Sequence, residues 1–403
     1  MIESFIVELY GQTTYNMLAM LFRLYPIWLP VITGVIFWEM WVRYVRYIFF
    51  IKTEMTLIEI KIPREVLKSP AAMEMALLSL HQTGGEGTVY DRYWSGKVRA
   101  WFSLEIVSID GEVKFYVWLR KNMRDIVESQ FYSQYPNIEI NEVLDYAKPA
   151  AYKPEENDMW AAHYIFTKPD AYPIKTYIDY GLDKDPKEEL KHDPLTSLIE
   201  FLGNIKKGEQ IWLQYIVRAH KNEKQQKGLF VKKSDWRKAA EKEIAKIHEK
   251  VKKEMRTRPS PGELEQIYGI ERSIGKYAYD VGIRVIYYVP EKSKRNQTTI
   301  TGLRGLMRPF SSNNLNGFKP DKTTDFDYPW EDFQDLRLNR MKRRMLDAYK
   351  RRSFFFYPYK YKNLVMTNEE LATMYHFPGQ VAATPGLPRI PSKRAQAPSN
   401  LPI

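Results

Sequence analysis

The spacing of hydrophobic and polar positions changes several times along the chain, and each change predicts an element. Tyr25 to Val42, YPIWLPVITGVIFWEMWV, is apolar almost throughout and has no polar face. A helix needs roughly 20 mostly apolar residues to cross the hydrocarbon. Extension of this run to about 18–50 supplies them and predicts one transmembrane helix. Tyr25, Trp28, Trp38 and Trp41 stand towards its ends, Arg23 precedes it, and Arg43, Arg46 and Lys52 follow. Aromatic ends with basic flanks suit a membrane interface better than a soluble core. The opening is acidic, with Glu3 and Glu8, and the exit is bulky and basic, unlike a cleaved signal peptide. Glu39 lies near the basic end, within reach of the headgroups or of Arg43. Lys and Arg are richer after the helix than before it, which predicts a single-pass protein of the cell membrane with residues after about 50 in the cytoplasm. Pro26 and Pro30 allow a kink in the first turns, and Ile2 to Phe22 fits an amphipathic entry helix lying in the interface.

Beyond the anchor, Ile58, Ile60 and Ile62 alternate with Glu59 and Lys61, the period of a half-buried strand. Ser69-Pro70 then opens a helix with Met73, Ala76, Leu77 and Leu80 on one face. Phe102 to Ile109 and Glu112 to Leu119 are β-rich runs joined by Asp110-Gly111, a strong hairpin signal. Met123, Ile126, Val127, Phe131 and Tyr135 return to helical spacing, and Ile138 to Val143 is a short last strand. The order is βαββαβ, that of a ferredoxin-like unit.

That order recurs with additions. Trp160 to Phe166 and Ile174 to Tyr180 read as strands, Asp193-Pro194 opens a helix, and Ile211 to Val217 is a strong strand. A charged helix runs from Ser234 to about Arg256, and a second follows Pro259-Ser260-Pro261 through Ile274. This pair, placed where the second helix of the unit belongs, reads as a hairpin enlarged by insertion. Val281 to Val289 is the next strand, and Thr299 to Met307 a further helix. Pro320 to Asp332 reads as a loop, and Asp335 to about Arg352 as a helix. From Phe377 prolines recur and predict an extended, linker-like tail. The expected fold is α+β: a transmembrane helix, two ferredoxin-like domains, the second with a helical-hairpin insertion, and a Pro-rich tail. The expected divisions are 1–54, 55–150, 151–320 with the insertion at about 234–275, 321–376 with the basic helix, and 377–403.

Composition narrows the chemistry. The 403 residues carry a formal charge of +12, with a pI near 9.3. This suits an anionic partner, and the inner leaflet is itself one. The absence of Cys rules out disulfides, thiolate metal sites and a Cys nucleophile. The six His have no metal-ligand spacing, so neither a metal nor a cofactor is expected. Gly203 to Gly208 has the glycine spacing of a phosphate loop, but Glu209-Gln210 stand where Lys and Ser or Thr must be. A helix ends and a strand begins there, the reverse of a phosphate loop, so the stretch reads as a helix C-cap turn. Gly84-Gly85-Glu86-Gly87 lacks a preceding strand and reads as a loop. No Ser, His and acid set forms a local motif, and the pairs Glu155-Glu156 and Glu188-Glu189 fit polar loops or helix starts. Neither an enzyme nor a small-molecule substrate is expected.

The helix from Asp335 carries Arg340, Lys342, Arg343, Arg344, Lys350, Arg351 and Arg352, followed by Phe354-Phe355-Phe356-Tyr357, Tyr359 and Tyr361. Cations beside aromatics hold phosphates and stack bases. The stretch predicts contact with a partner protein, with anionic lipid or with single-stranded nucleic acid, DNA included, although no aromatic RNP signature is present.

Six blocks in one order, Leu57–His81, Tyr93–Trp118, Gln134–Ile140, Asp193–Arg218, Gly282–Pro290 and Thr367–Ile403, carry a family resemblance. They resemble the membrane-anchored N-terminal region of HerA/FtsK-like and VirD4-like ATPases of type IV secretion and conjugation in small-genome bacteria. The resemblance covers nearly the whole chain after about Trp38. In the long members a Pro-rich segment ending like Ser399-Asn400-Leu401-Pro402 leads into a motor with Walker motifs, whereas this chain stops there. It is expected to be a stand-alone version or a fragment. The resemblance implies a chain that does not itself hydrolyse ATP and offers no position for the family's catalytic residues. Its expected role is to anchor and position a separate P-loop ATPase, with room for a homo-oligomer. The alternative is a membrane-tethered nucleic-acid-binding protein acting without a motor.

Overall fold

The structure is a computed structural model describing residues 14–17, 19–20, 22–63, 68–184, 192–221, 224–227, 230–233, 236–326, 328–379 and 386–390. The described helices are α1 (Tyr25–Lys52), α2 (Pro70–Ser79), α3 (Val89–Tyr93), α4 (Arg124–Gln134), α5 (Pro194–Gly203), α6 (Trp236–Lys253), α7 (Pro261–Ile274), α8 (Gln297–Arg304), α9 (Leu336–Lys350) and α10 (Asn368–Met374). The strands are β1 (Met55–Pro63), β2 (Trp101–Ile109), β3 (Glu112–Arg120), β4 (Glu139–Glu142), β5 (Asp158–Phe166), β6 (Gln210–Ala219), β7 (Lys224–Lys227), β8 (Phe230–Lys233), β9 (Ala278–Val289), β10 (Phe318–Asp321), β11 (Leu364–Thr367) and β12 (Arg389–Ile390). They fall into two units, Met1–Thr53 with Gly85–Val98, and Glu54–Gly84 with Arg99–Ile403.

In the first unit α1 is 28 residues long and apolar enough to cross a membrane. Its one buried side chain is Val45. The two polar side chains inside the apolar run are satisfied within the helix. Thr33 Oγ1 donates to the Leu29 carbonyl at 2.8 Å, and Glu39 accepts from Arg43 at 2.9 Å, the partner expected for it. The entry helix expected at Ile2–Phe22 lies largely outside the described residues.

The second unit is built on one ten-stranded sheet in the order β10-β5-β9-β6-β2-β3-β1-β12, with β4 also on β1 and β11 also on β9. Asp110 and Gly111 take φ of +56° and +88°, the two positive values that a tight two-residue hairpin requires, and they fix the β2–β3 register with Ile109 opposite Glu112. In the first half the strand order is β4-β1-β3-β2, and in the second it is β10-β5-β9-β6. Each half therefore places its fourth, first, third and second strands side by side, all antiparallel. The halves join where β2 pairs antiparallel with β6, from Trp101 opposite Arg218 to Ile109 opposite Gln210. The boundary expected near residue 150 thus falls inside one continuous sheet.

Strand alternation gives the sheet two buried faces. Ile58, Leu104, Phe115, Leu213, Val285 and Ala162 point to one face, where α2, α4, α5, α8 and α10 supply Leu77, Phe131, Leu198, Leu303 and Leu371. Burying an aliphatic side chain of this size contributes about 1.5–3 kcal/mol, so this face holds the main core. Leu57, Val107, Trp212 and Ile286 point to the other face, against Met345, Leu346 and Tyr349 of α9.

Several expectations change. Ile174–Tyr180, expected as a strand, is irregular through Thr176 and then turns. There the Thr176 amide donates to Asp179 Oδ2 at 2.9 Å, a local partner that competes with a sheet ladder. The α6–α7 hairpin lies between β6 and β9, so α8 and not the helix pair occupies the second-helix position. The fourth strand of that half, β10, reaches into the stretch expected as a loop from Pro320. The start of the Pro-rich tail is packed: the Phe377 ring lies 5.7 Å from Phe115 and 4.8 Å from Tyr135. The Gly386 carbonyl accepts from the Val113 amide at 2.7 Å, and β12 pairs parallel with β1. Residues 391–403 lie outside the described residues.

Candidate functional site

On the α9 face a row of polar side chains crosses the sheet in register: Glu59, Tyr116, Glu105, Gln214, Arg284, His163 and Asp321. Its centre is fully buried and closely bonded. Ser103 Oγ and Gln214 Nε2 each donate to Glu105 Oε1 at 2.6 Å. Arg284 Nε donates to Gln214 Oε1 at 2.6 Å, and Tyr146 OH to Glu105 Oε2 at 2.8 Å. Arg352 Nε and Nη2 then reach the two oxygens of Glu105 at 3.0 and 3.1 Å, and its guanidinium also holds Asp145. Burial alone pushes the Glu105 carboxyl up, but the charge and hydrogen bonds of Arg352, with those of Ser103 and Tyr146, hold it below the usual carboxylate value.

This network seats α9. Lys342, 4% exposed, donates to Asp158 at 2.5 Å, and Asp158 also takes Arg295 at 2.6 Å. Tyr349 OH and Tyr146 OH are 2.6 Å apart, and Lys350 donates to the Ala150 carbonyl at 2.8 Å. Arg352, at φ +46°, turns the chain out of the helix towards Glu105. The seven cations expected to form one positive face therefore divide. Lys342 and Arg352 are buried against carboxylates, and Lys350 is half-buried. Arg340, Arg343, Arg344 and Arg351 are exposed, with Arg351 on Asp347 at 2.9 Å and Arg344 over the Tyr359 ring at 5.9 Å. Of the aromatics that follow, Phe354 and Phe355 are buried and Tyr359 hydrogen-bonds to Asp347. Tyr357 alone of that run is a large exposed ring.

The residues expected at a membrane interface are all on α1. Tyr25, Trp28, Trp38 and Arg43 are exposed, while Trp41 and Arg46 are half-buried. Pattern reading does not pick out Glu105, Asp145 and Asp158, the acids that take up the inward cations. One trace of them is legible, since a carboxylate at Glu105 stands alone within an unbroken β-rich run.

A pocket of about 410 Å³ lies against α7, lined by Asp179, Leu264, Tyr268 and Arg272 among others. Its charged groups are engaged: Arg272 holds Asp179 at 2.9 Å and Glu369 at 3.1 Å. Among the described residues no three His, Asp or Glu side chains converge as metal ligands. The arrangement is one of a stiff sheet with a well-seated basic helix.

No curated protein matches the sequence. A family model described as a domain of unknown function, DUF8128, matches residues 51–387, which hold every strand of the sheet except β12, and the chain belongs to that family.

Proposed function

We propose that the protein is a membrane-anchored, non-catalytic scaffold that positions a separate HerA/VirD4-like ATPase in a transfer system of the type IV secretion or conjugation kind. The observation that carries the anchor is α1: an exposed apolar helix whose internal polar groups, Thr33 and Glu39, are bonded within the helix itself. Unsatisfied polar groups are costly in hydrocarbon, so this self-sufficiency suits a lipid-embedded segment. The basic exit supports a cytoplasmic sheet unit. Each half of that sheet is read as a ferredoxin-like unit, supported by the strand order shared by the two. The sheet serves as a rigid platform, the exposed face of Arg340, Arg343, Arg344 and Arg351 as a contact surface, and residues beyond Ile390 as the strap towards the motor.

The test is co-purification of the detergent-solubilised chain with a P-loop ATPase encoded beside it. Truncation after Ile390, which spares the packed residues, is expected to abolish association. Association left intact would overturn the strap, and ATP turnover by the purified chain alone would overturn the non-catalytic reading. In the second reading the protein is a membrane-tethered nucleic-acid binder. The exposed arginines favour it, and salt-dependent DNA binding lost on reversal of Arg343 and Arg344 would select it.

A further inference from the structure

The loop Gly85–Val98, which carries the short helix α3, belongs to the same compact unit as α1. Trp38, Trp41 and Val45 are spaced i, i+3 and i+7, so they share one face of α1, and the loop lies on that face. The Trp38 ring is 5.3 Å from Tyr93 and 6.0 Å from Trp94, and Trp41 Nε1 donates to the Tyr93 carbonyl at 2.9 Å. Gly96 sits at φ +62° with a Cβ position only 2.3 Å from the Val45 carbonyl oxygen. Glycine is therefore what lets the loop approach the helix backbone so closely. The loop is also held internally. Thr88 Oγ1 accepts from the Asp91 amide at 3.0 Å, and Lys97 pairs with Asp91 at 2.9 Å.

So fixed, the loop turns three large apolar side chains outward: Val89 is 69% exposed, Tyr90 66% and Trp94 53%. The loop meets α1 at Trp38, Trp41 and Val45, the end of the apolar span that carries Arg43 and Arg46, where Tyr44 and Tyr47 of α1 are exposed as well. Tyr and Trp favour the headgroup level, where an apolar ring and a polar edge are both accommodated. We infer that Val89, Tyr90, Tyr93 and Trp94 form, with Trp38 and Trp41, an aromatic collar that lies in the lipid headgroup region and fixes the depth of α1. The inference rests on the reading of α1 as membrane-spanning and adds a second lipid contact, from a segment distant in sequence.

The chain has no cysteine, so single-cysteine variants of the full-length protein report one site each. Nitroxide labels on Ile36→Cys, Val89→Cys, Tyr90→Cys and Leu144→Cys are read in vesicles of phosphatidylcholine and phosphatidylglycerol by accessibility to oxygen and to a water-soluble nickel chelate. The Ile36 label is expected in the hydrocarbon and the Leu144 label in water. Those at Val89 and Tyr90 are expected at interfacial depth, with an oxygen-to-nickel ratio several-fold above that at Leu144. Val89 and Tyr90 labels as aqueous as Leu144, with Ile36 in lipid, would overturn the collar and leave the anchor standing. Low accessibility to both reagents at Val89 and Tyr90 would mean protein covers the loop and would also overturn it. An aqueous Ile36 label would overturn the anchor itself.

Discussion

Arg352 and Glu105 stand 247 residues apart in sequence and meet as a two-pronged ion pair, Nε to Oε1 at 3.0 Å, with both side chains at 0% exposure. Arg352 keeps a second acid, Asp145, whereas Glu105 has Arg352 as its cation partner. Loss of one member of a buried pair typically costs about 3–5 kcal/mol. Arg352→Met is therefore expected to fall in that range, and Glu105→Gln to cost less. In the double variant the two effects should be less than additive, with a coupling of about 0.5–3 kcal/mol. Urea unfolding of the detergent-solubilised chain measures this, and additive losses would show that the pair does not seat α9.

Charge reversal should separate the two kinds of cation on α9. Arg343→Glu with Arg344→Glu alters exposed positions and should shift stability by about 0.5 kcal/mol or less per site, while weakening any anionic partner. Lys342→Glu would set two carboxylates together at the buried Asp158 site and should unfold the chain in the same assay. Equal stability of the two variants would contradict the division of the helix into buried and exposed cations.

His376 is buried with Nε2 3.0 Å from Asp193 Oδ2 and Nδ1 3.0 Å from the Ala372 carbonyl. Burial pulls the imidazole down, but the charge and hydrogen bond of Asp193, with hydrogen bonds to the Ala372 and Thr373 backbone, more than offset this and the net shift is upward from 6.5. Burial pushes Asp193 up, but His376 and neighbouring donors bring it below 3.8. A raised His contributes stability below its unfolded value and loses it as pH rises through the folded one. A depressed Asp contributes above its unfolded value and loses it as pH falls through the folded one. The pair is therefore most stabilising between about 4 and 6.5. His376→Gln should destabilise the chain most in that window, and a stability difference that is flat from pH 5 to 9 would contradict the ion pair.

Gly111 is at φ +88°, and a Cβ there would fall 3.0 Å from the Gly203 carbonyl oxygen. Gly111→Ala should cost about 1–2 kcal/mol from the left-handed backbone alone. The thermal midpoint of the solubilised protein checks this. No change would contradict a left-handed backbone at Gly111.

Where local chemistry decides the structure, the sequence is readable. Asp110-Gly111 announces its hairpin, Asp193-Pro194 its helix start, and the alternation at Ile58, Ile60 and Ile62 its strand. Where partners come from afar it is not. Ile174–Tyr180 has strand-like composition, yet Asp179 captures the Thr176 amide and the stretch turns. Phe377 looks like the start of a linker because nothing nearby shows the rings of Phe115 and Tyr135 that enclose it. Likewise the cations of α9 count as one face until Asp158 and Glu105 remove Lys342 and Arg352 from it. That α8 and not α6–α7 follows the third strand of its half depends on which strands pair, which periodicity does not encode.

A scaffold tethered at the membrane requires α1 to be embedded in lipid, and alkaline carbonate extraction of vesicles carrying the full-length chain measures this. The protein is expected to stay with the vesicle pellet. Release into the carbonate supernatant, with the sheet unit intact, would contradict it.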